Sequence, residues 1–203
     1  MNRFILSCLL LLCLPAHAQS AKDQLIRFGK GLESASTTFR QVVTGPNGEK
    51  LQSSQGLLEM RTPDKFRWEY TAPIQQLIIA DGSRILIYEP DLKQLTIKKQ
   101  DALSQDNPLS ALGRPELLER QFIISVLPSR QGLDWLQLQP RNADSSPFNK
   151  AWLGFDADGL RSMRLFDNLG QVSEFTFGSW RRNAGIDPKR FQFKAPKGVD
   201  VVE

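Results

Sequence analysis

Nucleophilic or metal-assisted catalysis needs histidines and cysteines placed where they can meet. This chain has one histidine, His17, and two cysteines, Cys8 and Cys13, all inside an amino-terminal stretch with the pattern of a cleaved signal. The rest of the chain therefore cannot assemble a Ser-His-Asp triad, a thiolate nucleophile or a His/Cys zinc site. Carboxylates or a lysine can act alone, but the acids here are scattered through turns and exposed strand faces. There is no G-x-S-x-G, P-loop or G-x-G-x-x-G motif. No enzyme activity, metal or cofactor is expected.

The residue types that do recur at a telling interval are aromatic. In RTPDKFRWEYTAP, Arg61 to Pro73, the rings Phe66, Trp68 and Tyr70 fall two apart, with Arg67 and Glu69 between them. That alternation puts three rings on one face of a strand and charges on the other. Such a face either packs a core or walls a space for an apolar guest, and spacing alone leaves both open. Leu58, Met60, Ile79 and Ile87 on neighbouring segments, and Leu103, Leu109 and Leu112 in mid-chain, have the same chemistry. Tyr70 is assigned to a rim or structural position, because a buried phenol needs a partner.

The elements that must position these residues follow from the period. Residues 1–18 combine Arg3, an apolar run from Phe4 to Leu14, and Ala16-His17-Ala18, the n-region, h-region and cleavage site of a secretory signal. The run is too short to span a bilayer. Leu11 and Leu12 are bulky where a lipid-attachment signal wants small residues, which argues against Cys13 as an acylated residue. Cleavage after Ala18 leaves 185 of the 203 residues, enough for one domain, 19–203, with a substantial core. The net charge of +4 becomes +3 without Arg3. Basic and acidic residues are interspersed, so no nucleic-acid surface is expected.

Ser20 to Ser34 reads as an amphipathic helix, with Leu25, Phe28 and Leu32 on one side. From Thr37 the period becomes two, and about eleven strands follow. GPNG at Gly45–Gly48, Asp81-Gly82, DADG at Asp156–Gly159 and DNLG at Asp167–Gly170 supply turns. Between strands six and seven, residues 102–119 form two proline-bounded helical pieces, with Pro108 and Pro115 at first positions and Gly113 closing the first. So many antiparallel strands need two sheets or one curled sheet. The curled solution, with helices near 20–34 and 102–119 as a lid, is a lidded half-barrel; a sandwich with peripheral helices has the same periodicity.

Taken together, QGLLEMRTPDKFRWEYTAP, IIADGSRILIYEPDLKQLTI, NPLSALG and FKAPKGVDVVE resemble, in order and over essentially the whole mature chain, the outer-membrane lipoprotein carrier family, LolA. Pro63, Phe66 and Trp68, the Asp81-Gly82 and Tyr88 pattern, and the terminal P-x-G-V carry the likeness. The resemblance implies a mainly β fold: an unclosed antiparallel barrel of about eleven strands with a helical lid over a hydrophobic cavity. It implies a monomeric periplasmic chaperone of Gram-negative cells that takes acylated lipoproteins from the inner-membrane transporter LolCDE and delivers them to the outer-membrane receptor LolB. Phe66 and Trp68 would look into the cavity, and Leu109 and Leu112 would lie on the lid.

One position departs from the family pattern. Members carry an arginine immediately before the motif proline as a polar latch between barrel and lid; here that residue is Thr62, and the arginine is Arg61. A one-residue shift on a strand reverses the face, so Arg61 is expected to point outward, and the latch to be the Thr62 hydroxyl or absent. Three rivals remain: a LolB-like receptor, which needs an acylated cysteine; a lipid- or lipoprotein-sensing periplasmic regulator; and an esterase, which the missing histidine opposes.

Overall fold

The structure, a computed structural model, describes residues 20–100, 108–113, 118–142 and 146–203. Residues 1–18, expected to be a signal, and the parts of the expected 102–119 lid at 102–107 and 114–117, with Leu103 and Pro115 among them, lie outside the described residues. Helix α1 spans Ala21–Gly29. Ser20 caps it, its hydroxyl accepting from the Asp23 N–H at 3.2 Å, and satisfies a donor the first turn cannot. Leu25 and Phe28 are buried. The helix is shorter than the expected Ser20–Ser34, because Lys30 is already extended and Gly31 has φ +65°, a conformation open to glycine and incompatible with a continuing helix. Leu32 remains in the core but on a loop.

Strands follow in sequence: β1 Ser34–Thr44, β2 Lys50–Arg61, β3 Lys65–Ala72, β4 Gln76–Asp81, β5 Arg84–Glu89 and β6 Gln94–Lys99. Short helices α2, Ser110–Gly113, and α3, Leu118–Gln121, come next. Then β7 Phe122–Arg130, β8 Leu133–Pro140, β9 Phe148–Asp156, β10 Gly159–Asp167 and β11 Val172–Phe177 complete the expected eleven. Two short strands were not foreseen, β12 at Arg181–Arg182 and β13 at Asp200–Val202.

Among the described residues all thirteen strands belong to one sheet, in the order β13-β6-β5-β4-β3-β2-β1-β11-β10-β9-β8-β7, with β12 also on β1. A sandwich of two sheets is thereby replaced by a single path. Among the described residues the pairings are antiparallel except β13 on β6, and β13 and β7 stand at opposite ends, so the path does not close there. Curling is visible in the core. β3 and β11 are three strands apart, which at about 4.8 Å per step is roughly 14 Å in a flat sheet. Yet the rings of Trp68 and Phe175 lie 5.3 Å apart, so the sheet folds toward the face that carries them.

That concave face and the helices share one apolar cluster. Leu25 and Phe28 of α1, Leu109, Leu112 and Leu118 of the mid-chain segment, and Phe39, Leu58, Trp68, Leu136, Leu153 and Phe175 of the sheet all belong to it. A second, smaller cluster sits on the convex face, where Ile79, Leu86 and Leu95 pack under Phe193, Ala195 and Val199. The carboxy-terminal segment is fastened there: Phe191 is fully buried and Arg190 donates twice to Glu59, at 2.6 and 2.9 Å.

Candidate functional site

The site is built from the register of three strands. Leu58 pairs with Trp68 and Met60 with Phe66 across β2 and β3, and Trp68 pairs with Ile78 across β3 and β4. Directly opposed residues share a face, so these side chains form one apolar wall on the concave side. Trp68 is wedged between aromatic neighbours, with the Phe39 centroid at 4.8 Å and Phe175 at 5.3 Å. Phe39 belongs to the wall because β2 carries Gly56 opposite it. A Cβ on Gly56 would fall 2.8 Å from the Phe39 ring and 1.9 Å from the Glu69 carbonyl oxygen.

Between this wall and the mid-chain segment lies a cavity of about 60 Å³, bordered by Leu58, Met60, Phe66, Trp68, Leu109 and Gly113, with residues 61–65 and Gln100 at its end. Gln100 closes that end, its amide donating to the Asp64 carbonyl (2.6 Å) while its Oε1 accepts from the Gly82 N–H (2.9 Å). A water needs about 10–15 Å³ of such space, so the cavity has room for roughly five waters. The two alternatives of the sequence thus meet: the rings are packed, and a void remains beneath Leu109.

The structure brings Leu58, Met60, Phe66, Trp68 and Leu109 together at the cavity. Leu112 is buried in the adjoining core. Tyr70 stands apart from the cavity, half-buried and edge-on to Phe39 at 5.1 Å. Burial pushes its hydroxyl up to about 12, opposed by the neighbouring Trp68 indole N–H. Ile87 pairs with Ile78 and is half-buried on the concave side, away from the cavity lining.

Ile79 is a correction. It pairs with Leu86 and belongs to the convex cluster under the carboxy-terminal segment, while Ile78 packs against the concave cluster. Leu77-Ile78-Ile79-Ala80 is an unbroken apolar run, and only pairing tells its faces apart. Phe39 and Phe175 were overlooked as wall residues. Phe39 carried a signal, since it opens an alternating run; Phe175 follows only from the β1–β11 pairing.

Arg61 is exposed. The Thr62 hydroxyl donates to the Leu32 carbonyl at 2.7 Å, and the Thr62 N–H donates to the Glu33 carbonyl at 3.0 Å. Its methyl lies 3.2 Å from where a Cβ on Gly113 would stand. One threonine therefore touches both the loop after α1 and the end of α2. Farther along, Gln24 of α1 donates to Asp134 of β8 at 2.7 Å, and Lys22 pairs with Glu119 at 2.6 Å, an exposed pair of small energetic weight.

Comparison with known proteins bears on this geometry. The family profile described as Outer membrane lipoprotein carrier protein LolA matches residues 30–194. Among similar proteins named outer-membrane lipoprotein carrier protein, that of Xanthomonas oryzae pv. oryzae is 39% identical over 184 residues, covering 90% of this chain and 88% of its own. That of Dechloromonas aromatica is 37% identical, covering 97% and 93%. In fold, the chain is similar to an uncharacterized conserved protein from Thermus thermophilus, with a TM-score of 0.53 at 16% identity, over 90% of this chain and 98% of that one.

Proposed function

Because this chain belongs to the outer membrane lipoprotein carrier protein LolA family, we propose that its concave wall receives the acyl chains of lipoproteins. The observation that carries this reading is the cavity between the Leu58, Met60, Phe66 and Trp68 wall and Leu109. Exposing acyl chains to water costs about 0.8 kcal/mol per methylene, so a chain of roughly fifteen methylenes needs about 12 kcal/mol of shelter on the same scale. An apolar wall offers that shelter without unpaired polar groups, each of which would cost about 1–3 kcal/mol.

A space of about 60 Å³ is far smaller than such a chain. Loading therefore requires the cover, α1 with its loop together with residues 108–113 and 118–121, to lift from the sheet, and the cavity marks where the two surfaces part. The Thr62 hydroxyl is the latch, released as Leu32 and Gly113 move away.

In the fuller picture, residues 1–18 are removed on export, and the chain works in the periplasm between an inner-membrane donor of the LolCDE kind and an outer-membrane acceptor of the LolB kind. No helix among the described residues is long and apolar enough to cross a membrane. The carrier holds and releases its cargo without a catalytic step.

A disulfide tests the gate. The expected signal segment holds both natural cysteines, so Thr62→Cys with Gly113→Cys adds one pair at a point of contact, the Thr62 methyl lying 3.2 Å from where a Cβ on residue 113 would stand. The oxidised protein is expected to take up no lipoprotein from detergent, and the reduced form of the same variant to load. Equal loading in both forms would refute the gate.

A further inference from the structure

The convex face is covered differently in its two halves. Over β3 to β6 the carboxy-terminal segment lies on it. Over β7 to β10 the same face carries aromatic rings and cations. Trp135 of β8 lies flat against β9 because residue 154 is glycine; a Cβ there would sit 2.9–3.0 Å from the indole carbons. Trp152 is 6.5 Å from Trp135, and Phe166 is 4.9 Å from Trp152. Both indoles are fixed by their N–H groups, Trp135 donating to the Arg130 carbonyl (3.2 Å) and Trp152 to Gln137 (2.9 Å).

Cations border these rings. The Arg164 guanidinium lies 5.6 Å from the Trp135 centroid and Lys150 Nζ lies 4.7 Å from that of Phe166. Arg164 Nη2 donates to Glu174 at 3.1 Å, while Nε is buried with no acceptor among the described residues. Leu127, Pro128, Arg130, Trp135, Trp152 and Arg164 bound a pocket of about 300 Å³, the lower end of the range for ligand sites. Arg130, Lys150 and Arg164 against Glu174 leave the patch positive.

The pocket adjoins an open strand. β7 ends the sheet, and among the described residues no strand pairs with its outer edge. From Phe122 to Leu127 it carries no charge, and Ile123 and Val126 are exposed. Sheet edges left free are usually blunted by charges, proline or bulges; here the proline comes only at Pro128, beside the pocket.

We propose that the β7 edge and this pocket together bind an extended acidic segment of a partner protein by strand addition. The segment's backbone pairs with β7 over residues 122–127. One of its carboxylate side chains reaches Arg130 and Arg164, with its stem against Trp135. Strand addition supplies affinity through backbone bonds, and the flanking pocket supplies selectivity; the carboxylate–guanidinium contact is charge-assisted. The site lies on the face opposite the acyl-chain wall and is independent of lipid loading.

The probe is a pool of end-blocked decapeptides in which Asp or Glu alternates with Val, Leu or Phe, compared with the same pool carrying Lys. Binding is followed by fluorescence titration, and its position by hydrogen exchange. The acidic pool is expected to bind and to slow exchange across 122–130. Arg130→Gln, at an exposed position, and Arg164→Gln should each weaken it roughly tenfold without altering the melting temperature of Arg130→Gln. Alternate N-methylation of the peptides should abolish binding. The proposal is overturned if the pool fails to bind at millimolar concentration, if the Lys pool binds equally, or if protection falls elsewhere than β7. It is also overturned if β7 is protected by self-association, or if anionic vesicles bind with the same arginine dependence while the peptides do not.

Discussion

Thr62→Val separates a latch from an ordinary core contact, because it removes one hydroxyl and keeps the shape. In the structure that hydroxyl donates to the Leu32 carbonyl at 2.7 Å, while the backbone bond from Thr62 N to the Glu33 carbonyl is untouched. A partly buried hydrogen bond contributes about 0.5–1.5 kcal/mol net. For a chain of this size about 1 kcal/mol lowers the melting temperature by roughly 2–4 °C. If the bond is broken in the open form, the same energy shifts the closed-to-open balance about fivefold toward open. Uptake of an environment-sensitive apolar dye should accelerate by that factor, and Thr62→Ser should restore both values. A melting temperature that falls while uptake stays unchanged would show a bond that holds the fold but not the gate. No change in either would mean that the Leu32 carbonyl finds water as readily as the hydroxyl.

Phe66→Ala should reduce lipoprotein loading per folded molecule, whereas Ile79→Ala should lower stability by about 2–5 kcal/mol and leave loading intact, since the two residues occupy opposite faces; urea midpoints beside loading assays distinguish them. Gly56→Ala, with its Cβ 1.9 Å from the Glu69 carbonyl, should cost about 3 kcal/mol or more in chemical denaturation. Burial alone would raise the pKa of Asp81 and Asp156. Hydrogen bonds from Ser83 and Arg84 to the first, and from Arg161, Asp158 and Gly159 to the second, outweigh it and hold both below the ordinary carboxylate value. Their stabilisation is therefore complete above the unfolded value of about 3.9 and disappears as pH drops through the lowered values. Melting temperature should stay level from pH 7 to 5 as far as these groups decide it and fall below about pH 4, less steeply in Asp81→Asn and Asp156→Asn. Tyr70 should ionise only near pH 12, visible in an absorbance titration.

Much of this architecture was legible because period-two alternation survives wherever one face is apolar and the other polar. Phe66, Trp68 and Tyr70 alternate with charges, so their shared face followed from the spacing, while its position on a cavity wall rested on the family resemblance alone. Legibility failed where both faces are covered. The carboxy-terminal segment buries the outer side of β4 and β5, so Leu77 to Ala80 is apolar throughout and Ile79 could not be told from Ile78. β12 and β13, two and three residues long, are too short to have a period. The length of α1 was misjudged because Leu32 keeps helical spacing while Gly31 turns the backbone away. Thr62 was the reverse case: a single-position departure from a family motif left either a hydroxyl contact or none, and the acceptor, a backbone carbonyl thirty residues earlier, is set by tertiary placement alone.

The claim on which the rest depends is that the cover lifts and the concave wall accepts acyl chains. Native mass spectrometry of the chain expressed from its full sequence in a Gram-negative host and purified from the periplasmic fraction tests it directly. One triacylated lipoprotein bound per chain is expected, absent from the oxidised Thr62→Cys, Gly113→Cys protein. A chain that stays bare beside abundant lipoprotein, with Leu109 and Trp68 amides fully protected from exchange, would mean that the packed wall never opens.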